Sequence, residues 1–395
     1  MYHAPMTLGP DPKCRVASLR QIAATSPSAR LTGSDTVYVF RYDDVQPLLH
    51  DSRLGGIGLR AFDQLGIDSG PLRDWYGALI STNEGLTHHR LRHLVAQAFT
   101  PISAERLRQH TATIAIEAVR PLITDGGGDL IAATRNVPMQ VMCHLLGIPS
   151  ALAPEFVRWV DDLGAVFGSV TTEQVAAATT ALDPLLRCIG NIVAERAICP
   201  SDDVISALLA AEHDGRMLTR GETIALTVEL LIGGHDTTAS QIGCSLLALL
   251  QRADVMRLVL SDPDLLASIV TETVRLEPSL DGVLRAVVSP IDVCGDTLQP
   301  GSLVMLCTLT ANRDGAVWQQ PDEFVPDRTL RTPSPRMLSF GAGAHYCLGA
   351  ALATMTLTET IREVVTHMPV LLADPDQITW TSALGRSPGC LPVAI

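Results

Sequence analysis

The sequence predicts a mainly α-helical fold with a small β-sheet region. Apolar stretches with helical spacing fill most of residues 42–276. Short β-branched runs between turn signals are confined to residues 36–40 and 283–308. A glycine-rich loop opens onto one more helix after residue 340. With 395 residues, 47 % hydrophobic and 18 % charged, the chain is long enough for a large core and too apolar for disorder. Length alone allows two or three domains. No repeat, low-complexity tract or Pro/Ser-rich linker divides it, so a single domain over 1–395 is expected.

Taken in order, TVYVF at 36–40 reads as a strand, and RYDDVQPLLHD follows with helical spacing at Val45, Leu48 and Leu49. Residues 86–122 are helical with a break at Thr100-Pro101, and Asp125-Gly-Gly-Gly-Asp129 reads as a turn. Helices are expected over 134–147 and 151–168. The clearest helix starts near Thr219, whose spacing to Glu222 is that of a capping box, and runs to about 252. It is apolar on most faces, so it should cross the middle of the protein. Gly233 and Gly234 in its interior cost about 1 kcal/mol each relative to Ala, which points to a distortion or a close approach there. A helix over 264–276 stops at Pro278. Strands at 283–288, 291–293 and 303–308 follow, with turns at Gly295-Asp296 and Pro300-Gly301, then a Pro-rich meander over 321–335.

Charge excludes some functions. Against 29 Lys and Arg stand 42 Asp and Glu, a net −13, which with only 4 % aromatics argues against nucleic-acid binding. The nine cysteines are odd in number and form no C-x-x-C, so neither a disulfide framework nor a zinc ribbon is suggested. Most are expected to be reduced and buried. There is no signal-peptide pattern and no run of 18 apolar residues, so a cytoplasmic protein without membrane association is expected.

Chemistry gathers at three motifs. In Phe340-Gly-Ala-Gly-Ala-His345-Tyr-Cys347-Leu-Gly349, glycines flank one cysteine just ahead of a helix. Glycine lets backbone approach a flat ligand, and a helix N-terminus favours a thiolate. In Gly233-Gly-His-Asp236-Thr237-Thr238, an acid beside a hydroxyl can pass protons into an apolar cavity. Glu272 and Arg275 share one helix face. A fourth string, Thr87-His88-His89-Arg90-Leu91-Arg92-His93, pairs His89 with His93 at zinc-ligand spacing but lacks the Glu of H-E-x-x-H.

The ten-residue string around Cys347 resembles the haem loop of the cytochrome P450 family, F-G-x-G-x-H-x-C-x-G, at every fixed position. The resemblance extends from about residue 41 to the last helix and is weakest over 1–35, 55–80 and 150–220. It implies the P450 fold, with haem between the long central helix and the Cys-loop helix. By it, haem b is the cofactor, with iron ligated by Cys347; Phe340, Gly341 and Gly349 shape the loop, and His88, Arg92, Arg285 and His345 are propionate partners. Asp236 and Thr237 take the acid and alcohol roles. Glu272, Arg275 and Arg328, in Phe324-Val-Pro-Asp-Arg328, form a structural ion-pair group. Gly233, Leu280 and Val283 are substrate-pocket candidates. Thr354 stands where the family often has Arg, a departure at a peripheral contact.

The implied activity is monooxygenation, hydroxylation or epoxidation of a small-to-medium organic substrate in secondary metabolism. Electrons would come from a separate ferredoxin or flavodoxin, and the substrate is either free or carrier-protein-bound. A monomer is expected. Arg90, His93, Arg331 and Arg336 are candidates for the docking patch. The alternatives are oxidative coupling, peroxide-driven oxidation, a haem-binding sensor, and a zinc protein using His89 and His93. Phe62, Trp75, Tyr76, Phe156, Trp159 and Phe167 read as core rather than pocket. Asp281 either meets a polar ligand or caps a turn.

Overall fold

Each regular segment follows from a local signal, and long-range packing then sorts the segments into two compact units. In the computed structural model the described residues are 4–394, apart from 10, 35, 100, 168–170, 332–333, 369–370, 373–377 and 383–385. One unit comprises residues 1–57, 243–347 and 369–395; the other comprises 58–242 and 348–368.

The first unit is built on a six-stranded sheet. Its strand order is Ala4–Met6, Ser28–Leu31, Thr36–Val39, Leu303–Leu306, Val283–Val287, Leu54–Gly55. Val304 sits opposite both Val37, in the parallel pair, and Arg285, in the antiparallel pair. This register buries Val37, Val39, Val304 and Leu306 in one apolar cluster. The hairpin joining Ile291–Val293 to Asp296–Leu298 turns on Cys294 and Gly295, both at positive φ, one residue earlier than expected. Helix Leu266–Leu276 is itself buried along most of its length and carries Glu272 and Arg275.

The second unit is helical. Its main helices are Gly85–Ala98, Arg108–Asp125, Val137–Leu146, Ala153–Gly164, Thr172–Ile198 and Ala350–His367, with residues 220–242 of Arg220–Leu250. The expected stretch 86–122 divides into Gly85–Ala98, Pro101–Arg106 and Arg108–Asp125; Thr100, at the expected break, lies outside the described residues. Within the glycine turn after Asp125, Gly127–Asp129 is a short strand rather than pure turn. Phe62, Trp75, Tyr76 and Phe156 are buried in the cluster that forms the core, and Trp159 and Phe167 pack against it. Four of these rings interlock, with Phe62–Tyr76 at 5.1 Å and Tyr76–Phe167 at 5.2 Å between centroids.

The long helix spans 31 residues, Arg220–Leu250. Its capping box is closed: Thr219 N donates to Glu222 Oε2 at 2.8 Å, and Glu222 N donates to Thr219 Oγ1 at 3.2 Å. It stays α-helical through both glycines, so the expected distortion does not occur. Close approach explains Gly234 instead. A Cβ there would lie 2.5 Å from Met142 Sδ. No described helix is long and apolar enough to cross a membrane.

Candidate active site

The Cys347 loop is held in shape by its own backbone. Gly341 N donates to Leu338 O at 2.8 Å, Tyr346 N to Gly343 O at 3.1 Å, and Cys347 N to Phe340 O at 2.9 Å. Gly343 has φ +70°, and a Cβ on it would come within 2.5 Å of Leu49 O, so no larger residue fits without backbone movement. Phe340, His345, Cys347 and Gly349 are half-buried and Gly341 is buried. Two residues separate Cys347 from the helix that begins at Ala350.

Cys347 differs in setting from the three buried thiols. Cys143, Cys244 and Cys307 are buried, and burial pushes each thiol up to about 12, which leaves them inert. The expectation that most cysteines are buried is corrected: of nine, three are buried, four half-buried and two exposed. Cys199, Cys294, Cys347 and Cys390 lie in turns and loops, where spacing gives no burial signal. A half-buried thiol on a rigid glycine loop suits a soft metal ligand and an approaching flat ring. The donor chemistry therefore fits a haem-thiolate group.

His88 and Arg92 are one turn apart on helix Gly85–Ala98, His88 buried and Arg92 half-buried. Arg285 is half-buried on its central strand, and its Nη1 donates to Leu284 O at 3.3 Å. Cationic donors of this kind suit carboxylates that leave water. The rings of His89 and His93 stack with centroids 6.4 Å apart. Among the described residues no group of three or more His, Cys, Asp or Glu is arranged to hold a metal ion.

On the long helix, Thr237 Oγ1 donates to Gly233 O at 2.9 Å, the back-bonding a mid-helix threonine commonly makes. Asp236 is half-buried. Burial raises its carboxyl above the usual range; His235 and Arg135 pull it down and Asp161 pushes it up. Gly233 is exposed, while Leu280 and Val283 are half-buried.

Glu272, Arg275 and Arg328 meet in the core of the first unit, 1 %, 1 % and 7 % exposed. Glu272 accepts from Arg275 Nε at 2.7 Å and Nη2 at 2.8 Å, from Arg328 Nε at 2.9 Å and from Val325 N at 3.0 Å. The spare guanidinium donors reach carbonyls of Asn312, Pro321, Gln319 and Gln320, and Trp318 stacks under both arginines. The network fastens the meander to helix Leu266–Leu276.

Ion pairs add to two sequence readings. Asp281 is also held in an ion pair that its sequence reading did not include: its Oδ2 pairs with Arg15 Nε at 2.6 Å, tying the N-terminal helix Pro12–Thr25 to the loop after Leu276. In the candidate docking patch, Arg90 is paired with Glu222, and Arg331 with Asp327 at 2.7 Å, so their charge is largely matched. Arg336 is exposed and lies over the ring of Tyr346, next to Cys347, at 4.8 Å. Sequence reasoning also passed over Glu229. Its carboxylate accepts from Ile80 N at 2.7 Å and Ser81 N at 2.9 Å, tethering the segment Ile80–Thr82 to the long helix. An acid in an apolar helix was the available signal, but its partners lie about 150 residues away.

Comparison with known proteins gives one family. The Cytochrome P450 family model matches residues 259–381. The chain is 33 % identical to "Mycinamicin IV hydroxylase/epoxidase" of Micromonospora griseorubida, covering 94 % of each. It is 32 % identical to "Nocardicin C N-oxygenase" of Nocardia uniformis subsp. tsuyamanensis, covering 94 % of this chain and 93 % of that one. Among solved structures it resembles CalO2 with a TM-score of 0.89 at 28 % identity, over 96 % of this chain and 95 % of that one. With this identity over nearly the whole length, and a thiol loop of the right donor chemistry, the chain belongs to the cytochrome P450 family and is a P450 monooxygenase.

Proposed function

We propose that this chain inserts one oxygen atom of dioxygen into a small-to-medium organic substrate of secondary metabolism, by hydroxylation or epoxidation. The thiol loop carries the reading: its backbone fixes Cys347 half-buried with Gly343 shut against Leu49 O. The two relatives named above, a hydroxylase/epoxidase and an N-oxygenase, support an oxygen-inserting outcome. In this reading the 1–395 chain acts as a single catalytic domain in the cytoplasm, as a monomer.

Haem b, held by Cys347 through its iron, would supply dioxygen activation, and a thiolate ligand favours O–O cleavage. The chain's own residues do the rest. Phe340, Gly341 and Gly349 keep the loop narrow around the sulfur. His88, Arg92, Arg285 and His345 would hold the propionates. Asp236 takes the acid role, its proton affinity raised first of all by burial, and the Thr237 hydroxyl takes the alcohol role beside it. Glu272, Arg275 and Arg328 keep the fold around the loop rigid. Gly233, Leu280 and Val283 border the substrate. A separate ferredoxin or flavodoxin delivers electrons, docking at the face that carries Arg336 beside the Cys347 loop.

The test is spectroscopic and then chemical. The reduced holoprotein with carbon monoxide should give the thiolate-type absorbance, and Cys347→Ala should lose it. Organic ligands that bind should shift the Soret band. A binding ligand supplied with NADPH, ferredoxin and its reductase should acquire one labelled atom from isotopic dioxygen. An imidazole-type spectrum unchanged by Cys347→Ala overturns the proposal.

A further inference from the structure

Arg386 opens the strand Arg386–Pro388, which pairs with Trp380–Ser382, and it is only 3 % exposed. A guanidinium stays charged wherever it lies, so one this deep needs an acid and several acceptors. It finds them on three consecutive residues. Its Nη2 donates to Glu277 Oε2 at 2.7 Å, its Nε to Pro278 O at 3.0 Å, and its backbone N to Ser279 O at 2.8 Å. Two further contacts hold Arg386 itself. The Cys244 thiol donates to its carbonyl at 3.4 Å, and the Trp380 ring centre lies 5.6 Å from its guanidinium.

The gripped segment leads from helix Leu266–Leu276 to the strand that starts at Val283. Its remaining residues are fixed from other directions. Glu277 Oε1 accepts from Arg313 Nη2 at 3.1 Å. Asp281 Oδ2 accepts from Arg15 Nε at 2.6 Å, and the Asp281 carbonyl accepts from Leu309 N at 3.1 Å. A Cβ on Gly282 would lie 2.3 Å from Leu306 O, so that backbone is pressed against the end of strand Leu303–Leu306. These contacts engage Glu277, Pro278, Ser279, Asp281 and Gly282. Leu280, half-buried in their midst, is the residue they leave out. A loop pinned on both sides of one side chain presents that side chain at a set place. Placement matters near a reaction, where a shift of about 1 Å can cost on the order of a hundredfold in rate.

We propose that Arg386 is a positioning residue for the substrate: by gripping Glu277, Pro278 and Ser279 it sets where Leu280 meets the substrate, without touching substrate or haem itself. This rests on the reading that Leu280 borders the substrate. The grip belongs to arginine. Its planar fork serves the Glu277 carboxylate and the Pro278 carbonyl at once, whereas lysine would bring a single nitrogen to both.

The experiment uses the holoenzyme and two probes, imidazole and 1-tritylimidazole, each read by the Soret shift when its ring nitrogen binds iron. Imidazole is too small to report on the pocket walls, and the three phenyl rings of 1-tritylimidazole are large enough to meet them. Leu280→Ala should weaken 1-tritylimidazole about tenfold, the value of a lost apolar contact in a pocket, and leave imidazole unchanged. Arg386→Lys and Glu277→Gln should each weaken 1-tritylimidazole as well, Arg386→Lys more, with imidazole again unchanged. Combined with Leu280→Ala, neither should weaken it further, because the effect passes through that side chain. Two variants test the grip, and the thiolate-type carbon monoxide spectrum identifies those that keep their fold. Loss of affinity for both probes alike marks a purely structural role and overturns the inference. So do effects that add fully to that of Leu280→Ala, or variants that bind 1-tritylimidazole as the natural chain does. If Leu280→Ala itself leaves 1-tritylimidazole binding unchanged, the reading of Leu280 as a substrate neighbour fails, and this inference with it.

Discussion

At Glu272 one carboxylate accepts from two guanidinium groups away from water, and the remaining positive charge is spread over the carbonyls that take up their spare donors. Breaking a buried charge group by removing one partner leaves the others unpaired, which costs about 3–5 kcal/mol. Glu272→Gln should therefore destabilise the chain by about that amount, read as a lowered midpoint of denaturant unfolding. If unfolding is unaffected, the network is not what holds the meander in place. The Glu272–Arg275 pair was readable as i, i+3 neighbours on one helix. Arg328, 53 residues after Arg275, was legible only through the family motif, and the carbonyls that take up the spare donors carry no sequence signal at all. His235 shows the same limit in sharper form. Its neighbours in sequence identify the motif, but its ion contact comes from Asp161, on a helix whose sequence says nothing about where its acid points.

Among the elements, the long helix was the most legible, because its capping box, apolar run and glycines are local signals. Helix Thr172–Ile198 was not laid out in advance, although it is 27 residues long and starts with its own capping box at Thr171 and Gln174. Pro184 sits in its interior and its apolar residues make only a weak stripe, so local rules favour a break that packing overrides. The tether from Glu229 is likewise a property of paired elements. Glu229→Gln replaces one charge-assisted acceptor by a donor facing an N–H, at a cost of about 1.5–3 kcal/mol to the local structure. Amide exchange at Ile80 and Ser81 should accelerate while that of helix Leu266–Leu276 stays slow. Equal protection in both proteins would mean the segment is held by its apolar contacts alone.

Over the whole molecule, the fold class and family motifs were legible because they are carried by composition, period and fixed spacing. The division of the chain into two units was not, since it depends on contacts between residues hundreds of positions apart. The pH response is also a global property. His110 and His144 stack with centroids 3.7 Å apart, and burial first, then the neighbouring ring, lowers the proton affinity of His144 from its ordinary 6.5. A base with a depressed folded-state value is protonated earlier in the unfolded chain. Its contribution is therefore complete above about pH 6.5 and is lost as pH falls below that. Thermal midpoints taken between about pH 8 and pH 5.5 should fall less in His144→Gln than in the natural chain. Parallel curves would show that the stacked pair does not govern acid sensitivity.

For anyone reshaping this enzyme, the adjacent glycines of the long helix are a mismatched pair of design positions. At 233 an added methyl group meets no protein atom within 4 Å, whereas at 234 it collides with the sulfur of Met142. Libraries can vary the former alone; the latter opens only when the side chain of residue 142 shifts or is trimmed with it.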